Sequence, residues 1–265
     1  MDALEFVGRS AVVIGGASGI GAATVLRLAE LGATVAIFDI DTSAAASVAD
    51  QLRTKELCTI HDVDVSDEGA LGTAVSSVLE ATGKIDFLVN SAASFISAGS
   101  GATRGDWDRA LEVNVRGCAT AVSVVSHHMP AGSAIVNVGS ISAHIAQPRR
   151  WTYNATKAAI VEMTKCQALD LSPLGIRVNV VSPGWIWTPE VARAAEGDRD
   201  RWEPVWGKYH ILRRLGEPRE VANAITFLLS SSASFITATE LLVDGGYLAL
   251  SAEGLGDDSR FAPNQ

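Results

Sequence analysis

Short apolar runs alternate with longer segments of helical period through most of this chain, and that alternation narrows the fold more than any other feature. Ser10-Ala11-Val12-Val13-Ile14 reads as a buried parallel strand, and further strands are expected at 34–38, 57–61, 84–89, 133–138, 176–181 and 240–243. Helical patterns fill the intervals at about 20–31, 43–53, 67–81, 107–129, 152–171 and 220–230. Such a series implies a doubly wound α/β chain, a parallel sheet covered by helices on both faces. The 265 residues suffice for one large domain with a sizeable core, and no linker rich in Pro or Gly divides them. The domain is expected over 1–252, followed by a polar, acidic tail over 253–265. The stretch 188–215 breaks the rhythm with Trp, Arg, Asp and Pro mixed, and 184–216 is expected to be a substrate loop.

Composition limits the partners. With 30 acidic against 21 basic residues the net charge is −9, which disfavours nucleic acid or an anionic membrane surface as the main partner. A polyanionic ligand must then be held locally, by backbone amides and a few placed side chains. No apolar run approaches membrane-spanning length. Cys58, Cys118 and Cys166 show neither a metal spacing nor an even count for disulfides, and the N-terminus lacks the pattern of a signal peptide. These features imply a cytoplasmic protein with no metal. His127 and His128 are adjacent, so they point to different faces and read as surface or capping residues.

Ile14-Gly15-Gly16-Ala17-Ser18-Gly19-Ile20-Gly21 joins the first strand to the first helix. Glycines there let the backbone approach a diphosphate at the helix N-terminus, where amides and dipole favour anions. The spacing is Gly-x-x-x-Gly-x-Gly rather than Gly-x-Gly-x-x-Gly. Asp39 ends the second strand, placed to hydrogen-bond ribose hydroxyls and repel a 2′-phosphate, so NAD is favoured over NADP.

The run from Ser140 to Lys157 begins where the apolar Ala134-Ile135-Val136-Asn137-Val138 gives out. Tyr153 and Lys157 are four apart in a helical segment and share a face, and a cation beside a phenol favours the phenolate. Ser140 lies just past a strand end, where α/β folds place their chemistry.

These residues resemble the short-chain dehydrogenase/reductase family in its compact single-domain branch, over about 7–249. Gly15, Gly19 and Gly21 are similar to the family's cofactor loop, which also implies contacts from Ser18 and Ile20. Asp64-Val65 resembles the pair that meets the adenine, and Asn90-Ser91-Ala92-Ala93 stands where the family usually has Asn-Asn-Ala-Gly. Pro183-Gly184-Trp185-Ile186-Trp187-Thr188 resembles the loop that holds the nicotinamide, with Ile186 beside it and Thr188 on its carboxamide. Leu215-Gly216-Glu217-Pro218 and Val243-Asp244-Gly245-Gly246 look like its C-terminal signature. Ile14 and Ala93 depart from a frequent Thr and Gly without touching reacting atoms.

The resemblance implies a Rossmann-like sheet of seven strands, usually in a homotetramer, and a Tyr base (Tyr153) assisted by Ser140, Lys157 and Asn114. Lys157 is expected to lower the Tyr153 pKa and to bind the nicotinamide ribose, Ser140 to hold the substrate oxygen, and Asn114 to hold a water linking Lys157 to solvent. In this family the segment between Ser and Tyr lines the substrate pocket. Here Ser142, His144, Gln147, Arg149, Arg150 and Trp151 occupy it. Ser142, Gln147, Arg149 and Trp185 are the expected substrate contacts, with Arg149 on a carboxylate and Trp185 and Trp187 as an aromatic wall. The pattern is similar to dehydrogenases of sugar acids, of the 2-keto-3-deoxy-L-fuconate type. Alternatives are a neutral polyol or cyclic alcohol as substrate, an enoyl reductase, whose Tyr and Lys usually lie further apart, or a catalytically silent NAD-binding regulator.

Overall fold

The computed structural model describes residues 5–255, so Phe261 and most of the expected tail lie outside the described residues. Seven strands form: β1 Ser10–Ile14, β2 Thr34–Asp39, β3 Cys58–Asp62, β4 Phe87–Asn90, β5 Ala134–Val138, β6 Arg177–Pro183 and β7 Glu240–Val243. All neighbours pair in parallel, in the order β3-β2-β1-β4-β5-β6-β7. The chain winds outward from β1 in one direction and from β4 in the other. The crevice between those two strands, at their carboxyl ends, is where such sheets bind ligands.

The two-residue side-chain period divides each strand between two cores. In β1, Ala11 and Val13 join Val25 and Leu28 of α1 (Gly19–Glu30) and Val221, Ile225 and Leu228 of a helix over Pro218–Leu229. Val12 and Ile14 face the opposite layer, with Leu71, Val75 and Val78 from a helix over Glu68–Thr82 and Ile135 from β5. Numbered along the chain, the remaining helices are α2 Thr42–Ala49, α3 Glu68–Thr82, α4 Arg104–Leu111, α5 Cys118–Ser126, α6 Trp151–Leu171, α7 Pro189–Ala194, α8 Arg199–Gly207 and α9 Pro218–Leu229.

Two departures from the sequence expectation affect the site. The helix expected over 107–129 is not continuous: α4 passes into a π turn, Glu112–Gly117, before α5. The irregular stretch after β6 holds two short helices, α7 and α8, the second with Pro204 inside it. The inner stripe of α6 is also unusual, since Thr152, Tyr153, Thr156, Lys157 and Thr164 are buried along it beside Ile160 and Val161. A buried polar stripe is tolerable only if its groups find partners. Here they do: the Thr152 hydroxyl donates to Ile96 O at 2.7 Å and the Thr156 hydroxyl to Tyr153 O at 2.8 Å, and Thr164 receives the Asn137 amide at 2.9 Å.

Candidate active site

A cleft of about 550 Å³ opens along the carboxyl ends of the central strands, reaching from Asp39 and Asp64 at one end to Gln147, Trp185 and Trp206 at the other. Its floor is the glycine turn. Gly15 sits at φ +75°, and a Cβ there would lie 2.4 Å from Ala92 N; a Cβ on Gly21 would lie 2.0 Å from Gly15 O. Both positions therefore admit only glycine, and the turn can draw flat against the strands. Ser18, the N-cap of α1, makes no side-chain capping bond and the first turn carries no acid. The first amides of α1 are thus left without a side-chain partner, as a diphosphate requires. Asp39 closes this end: its carboxylate accepts from Ala17 N at 2.9 Å and from Asp41 N at 3.0 Å, which ties the end of β2 to the glycine turn.

Ser18, Gly19, Ile20, Asp64 and Val65 line the same end of the cleft, while Gly21 is buried behind it and shapes the turn. Asp64 accepts from the Ser66 hydroxyl and amide, which with Arg109 at 3.5 Å hold its carboxyl below the usual range. Asn90 does not face the cleft. It lines a small cavity beneath, where its Nδ2 donates to Asn137 Oδ1 at 2.8 Å and its Oδ1 has no partner. The cleft wall at that point is Ser91, Ala92 and Ala93. Pro183, Gly184, Ile186 and Thr188 line the far wall, and Thr188 caps α7, its hydroxyl accepting from Val191 N at 3.4 Å.

Ser140, Tyr153 and Lys157 meet in the middle. The Ser140 hydroxyl hydrogen-bonds the Tyr153 phenol and also accepts from Ser142 N at 3.1 Å. Lys157 Nζ lies 5.7 Å from the Tyr153 ring centre and donates to Val138 O at 2.9 Å. The expected depression of the phenol by this ammonium does not appear. Burial pushes Tyr153 up to about 12, and the opposing pulls come from the Ser140 hydrogen bond and Arg150. Lys157 is itself pushed down to about 8 by burial. Both groups have lost water, and desolvation penalises each charged form.

Asn114 sits in the π turn, where the i to i−4 ladder is interrupted, a feature common at functional sites. Three hydrogen bonds hold its side chain: Oδ1 accepts from Ser94 N at 2.6 Å, and Nδ2 donates to Ser94 O and to the Thr156 hydroxyl, each at 3.0 Å. The amide fastens the Ser94 segment and α6 to the π turn.

On the substrate side, Ser142, Gln147 and Trp185 line the cleft, with the Ser142 hydroxyl donating to Gln147 Oε1 at 2.8 Å. Arg149 does not line it. Its φ is +59°, a left-handed conformation costing a non-glycine residue about 1–3 kcal/mol. The side chain is exposed, and the following residue, Arg150, is half-buried and lines the cleft. Of the two arginines it is therefore Arg150, not the expected Arg149, that reaches the cleft, with its guanidinium 5.7 Å from the Tyr153 ring centre. Trp151 is 57% exposed. His144 pairs with Glu240 at 2.7 Å, away from the cleft. Trp187 stacks under Arg199 at 5.2 Å instead of lining the wall; the second aromatic is Trp206, 5.0 Å from Trp185 and 4.9 Å from Trp202. Phe95 stacks on Tyr153 at 5.7 Å. His210, buried, accepts from Trp185 N at 3.4 Å and steadies that wall. Among the described residues there is no cluster that could hold a metal ion.

Comparison with known proteins agrees with this geometry. A family model described as enoyl-(acyl carrier protein) reductase matches residues 15–248. Cis-4-hydroxycyclohexanecarboxylate dehydrogenase of Sinomonas cyclohexanicum is 37% identical over 256 residues, covering 92% of this chain and 98% of that protein. L-fucose dehydrogenase of Mus musculus is 37% identical over 247 residues, covering 91% and 89%. Among solved structures, the glucose/ribitol dehydrogenase from Brucella melitensis is similar at a TM-score of 0.87 and 31% identity, over 92% of this chain and 98% of that one.

Proposed function

The chain belongs to the short-chain dehydrogenase/reductase family, and on that premise we propose that it is an NAD-dependent dehydrogenase of a secondary alcohol, or a reductase of the matching ketone. The observation that carries this reading is the convergence of Ser140, Tyr153 and Lys157 in one cleft with the uncapped α1 N-terminus and Asp39. The glycine cradle and the Asp39 carboxylate fit a dinucleotide without a 2′-phosphate. When bound, the nicotinamide accepts or supplies the hydride. Tyr153 takes the hydroxyl proton in oxidation and returns it in reduction. Ser140, hydrogen-bonded to the phenol, holds the substrate oxygen beside it. Lys157 sits over the phenol, binds the nicotinamide ribose, and favours the phenolate when the site's charge is complete. Asn114 keeps the Ser94 segment and α6 at their spacing.

The substrate is a small polar alcohol, a sugar acid such as 2-keto-3-deoxy-L-fuconate. A neutral polyol or cyclic alcohol is the second reading, favoured by the neutral sugar in the name of one relative, whereas the ring alcohol in the name of another carries a carboxylate and favours the acid. Tyr153 and Lys157 are four residues apart, which speaks against an enoyl reductase in spite of the matched model's description. A silent NAD-binding regulator would have no use for all of Ser140, Tyr153, Lys157 and Asn114. The test is reduction of NAD and NADP, in parallel, by a panel of sugar acids, cyclic hydroxy acids, polyols and cyclic alcohols. Turnover with NAD on one class supports the reading, and binding of NAD with no turnover on any class sinks it in favour of the regulator.

The protein is further read as a cytoplasmic homotetramer, as the family resemblance implies. No helix among the described residues is long and apolar enough to cross a membrane. Leu169 and Phe235 are exposed at 74% and 103% and are candidates for burial between copies. Analytical ultracentrifugation returning a monomer would remove the tetramer.

A further inference from the structure

We propose that Arg150 sets the substrate class by holding a carboxylate on the alcohol substrate, whose ring or chain lies along the wall formed by Trp185 and Trp206. The proposal rests on the dehydrogenase reading and deepens it. The argument is one of charge accounting within the cleft. Arg109 faces Asp64 at 3.5 Å, and Arg193 is paired with Glu190 one turn away in α7. Lys157 donates to Val138 O, and Asp39 is held by two backbone amides. Among the described residues, the Arg150 side chain makes no hydrogen bond or ion pair; its guanidinium rests over the Tyr153 ring. A half-buried guanidinium has lost part of its hydration, and it cannot shed its charge. Its planar fork matches a carboxylate in a bidentate pair.

The backbone is arranged to deliver it there. Arg149 is held at φ +59°, so consecutive arginines part, one to solvent and one to the cleft. Gly99 makes room for that turn, since a Cβ on it would lie 3.0 Å from Arg149 Cα. Beside the cation, Trp185 and Trp206 with centres 5.0 Å apart offer an apolar wall, fixed from behind by Trp202 and His210. A cation above the reacting phenol and an aromatic face next to it fit a hydroxy acid with an apolar ring or face, better than a neutral polyol.

The test is binding and turnover with matched acid and amide. Tryptophan fluorescence of the NADH-saturated protein is titrated with cyclohexanecarboxylate and with cyclohexanecarboxamide, and kcat/KM is measured for a cyclic hydroxy acid and its amide. A charge-assisted bidentate contact predicts an acid preference of about 10- to 100-fold in the wild type. Arg150→Met should abolish that preference, Arg150→Lys should keep part of it, and Arg149→Met should leave it at the wild-type value. If Arg150→Met does not fold, the lysine variant decides, since a retained charge without the fork must lower the ratio. An acid-to-amide ratio near one in the wild type, or a ratio unchanged in the Arg150 variants, overturns the proposal. Acid preference in binding without turnover of any panel alcohol supports the role of Arg150 while sinking the dehydrogenase reading; turnover without acid preference does the reverse.

Discussion

Tyr153 and Lys157 are buried together, and burial moves each toward its neutral form: the phenol up to about 12, the ammonium down to about 8. The proposed proton transfer would therefore run through a pair whose charged forms burial disfavours. Tyr153→Phe removes only the proton carrier, so turnover should fall by about the 10²–10⁴-fold typical of general-base loss or more, with NADH affinity by fluorescence nearly unchanged. Substantial remaining activity would remove Tyr153 from its role. Lys157 also makes a prediction about stability. Between about 8 and its ordinary 10.5 the unfolded chain holds a proton that the folded chain has lost, so stability rises with pH across that window. The contribution disappears as pH falls through about 8. Tyr153 works the other way: its stabilising effect is full below 10 and is lost as pH rises toward about 12. Lys157→Met should thus flatten the rise above pH 8 by up to about 1.4 kcal/mol per pH unit, read by urea denaturation at several pH values. Identical slopes in the two proteins would show that Lys157 keeps its proton. The i, i+4 spacing alone is common, and sequence picks out this pair only together with Ser140, Asn114, Asp39 and the glycine turn; it does not give the sign of the phenol's shift, which depends on how much water the cleft excludes. Nor could it choose between Arg149 and Arg150. Adjacent residues in a loop have no periodicity to separate them, and the positive φ of Arg149, packed close to Gly99, leaves no local sequence mark.

At the level of elements, the inner strands were legible because a parallel strand buried on both faces leaves a short apolar run, while the half-buried edge strands β3 and β7 follow from their place in the alternation. The π turn was not, because Cys118, Ala121, Val122 and Val125 keep the ordinary helical spacing and one extra residue in the turn before them leaves no separate mark. What distinguishes it is a tertiary demand, the hydrogen bonds of Asn114 to Ser94 and Thr156. Asn114→Ala would remove three hydrogen bonds, two to the half-buried Ser94 backbone and one to the buried Thr156 hydroxyl, a loss of about 0.5–1.5 kcal/mol for each. A lower urea midpoint together with weaker NADH binding is expected, since Ser94 lines the cleft. Stability lost with NADH affinity intact would separate Asn114 from the site. Trp206 was missed for a related reason: it lies in the irregular stretch, in a short helix that contains Pro204. That helix is anchored by Arg199, which reaches Glu203 at 2.7 Å and Glu217 at 2.5 Å, while Glu203 also accepts from Leu215 N at 3.1 Å. These groups are partly exposed, so each pair contributes about 0.2–1 kcal/mol and is weakened by salt. Glu203→Gln is expected to raise KM by up to about fivefold with little change in kcat, and high salt should blunt the difference between variant and wild type. An equal fall in kcat would mean that the anchor acts on the chemistry and not on the wall of the cleft.

Over the whole molecule, the two halves of the sheet meet at β1 and β4, and every group assigned to the reaction lies on one edge of that sheet. The glycine turn and Asp39 come from the first half; Ser140, Tyr153, Lys157 and the Trp185 wall come from the second. A dinucleotide lying across the switch point touches both, so it should stabilise the fold as a unit. That coupling gives a test of cofactor choice independent of any substrate. At a free concentration of 100 times Kd, a ligand that binds only the folded chain adds about 2.7 kcal/mol. For a domain of this size each kcal/mol moves Tm by roughly 2–4 °C, so NADH should raise it by about 5–10 °C. On the proposed NAD preference, NADPH at the same concentration should raise it much less, since a carboxylate at the end of β2 repels a 2′-phosphate. Replacing that carboxylate should bring the two shifts together: Asp39→Ala loses the ribose contact and the tie to Ala17 N, which lowers the NADH shift, and removes the repulsion, which raises the NADPH shift. Differential scanning fluorimetry with both nucleotides on both proteins reads all four values. A larger shift with NADPH than with NADH in the wild type would overturn the assignment of NAD while leaving the family, the fold and the Tyr153 chemistry untouched.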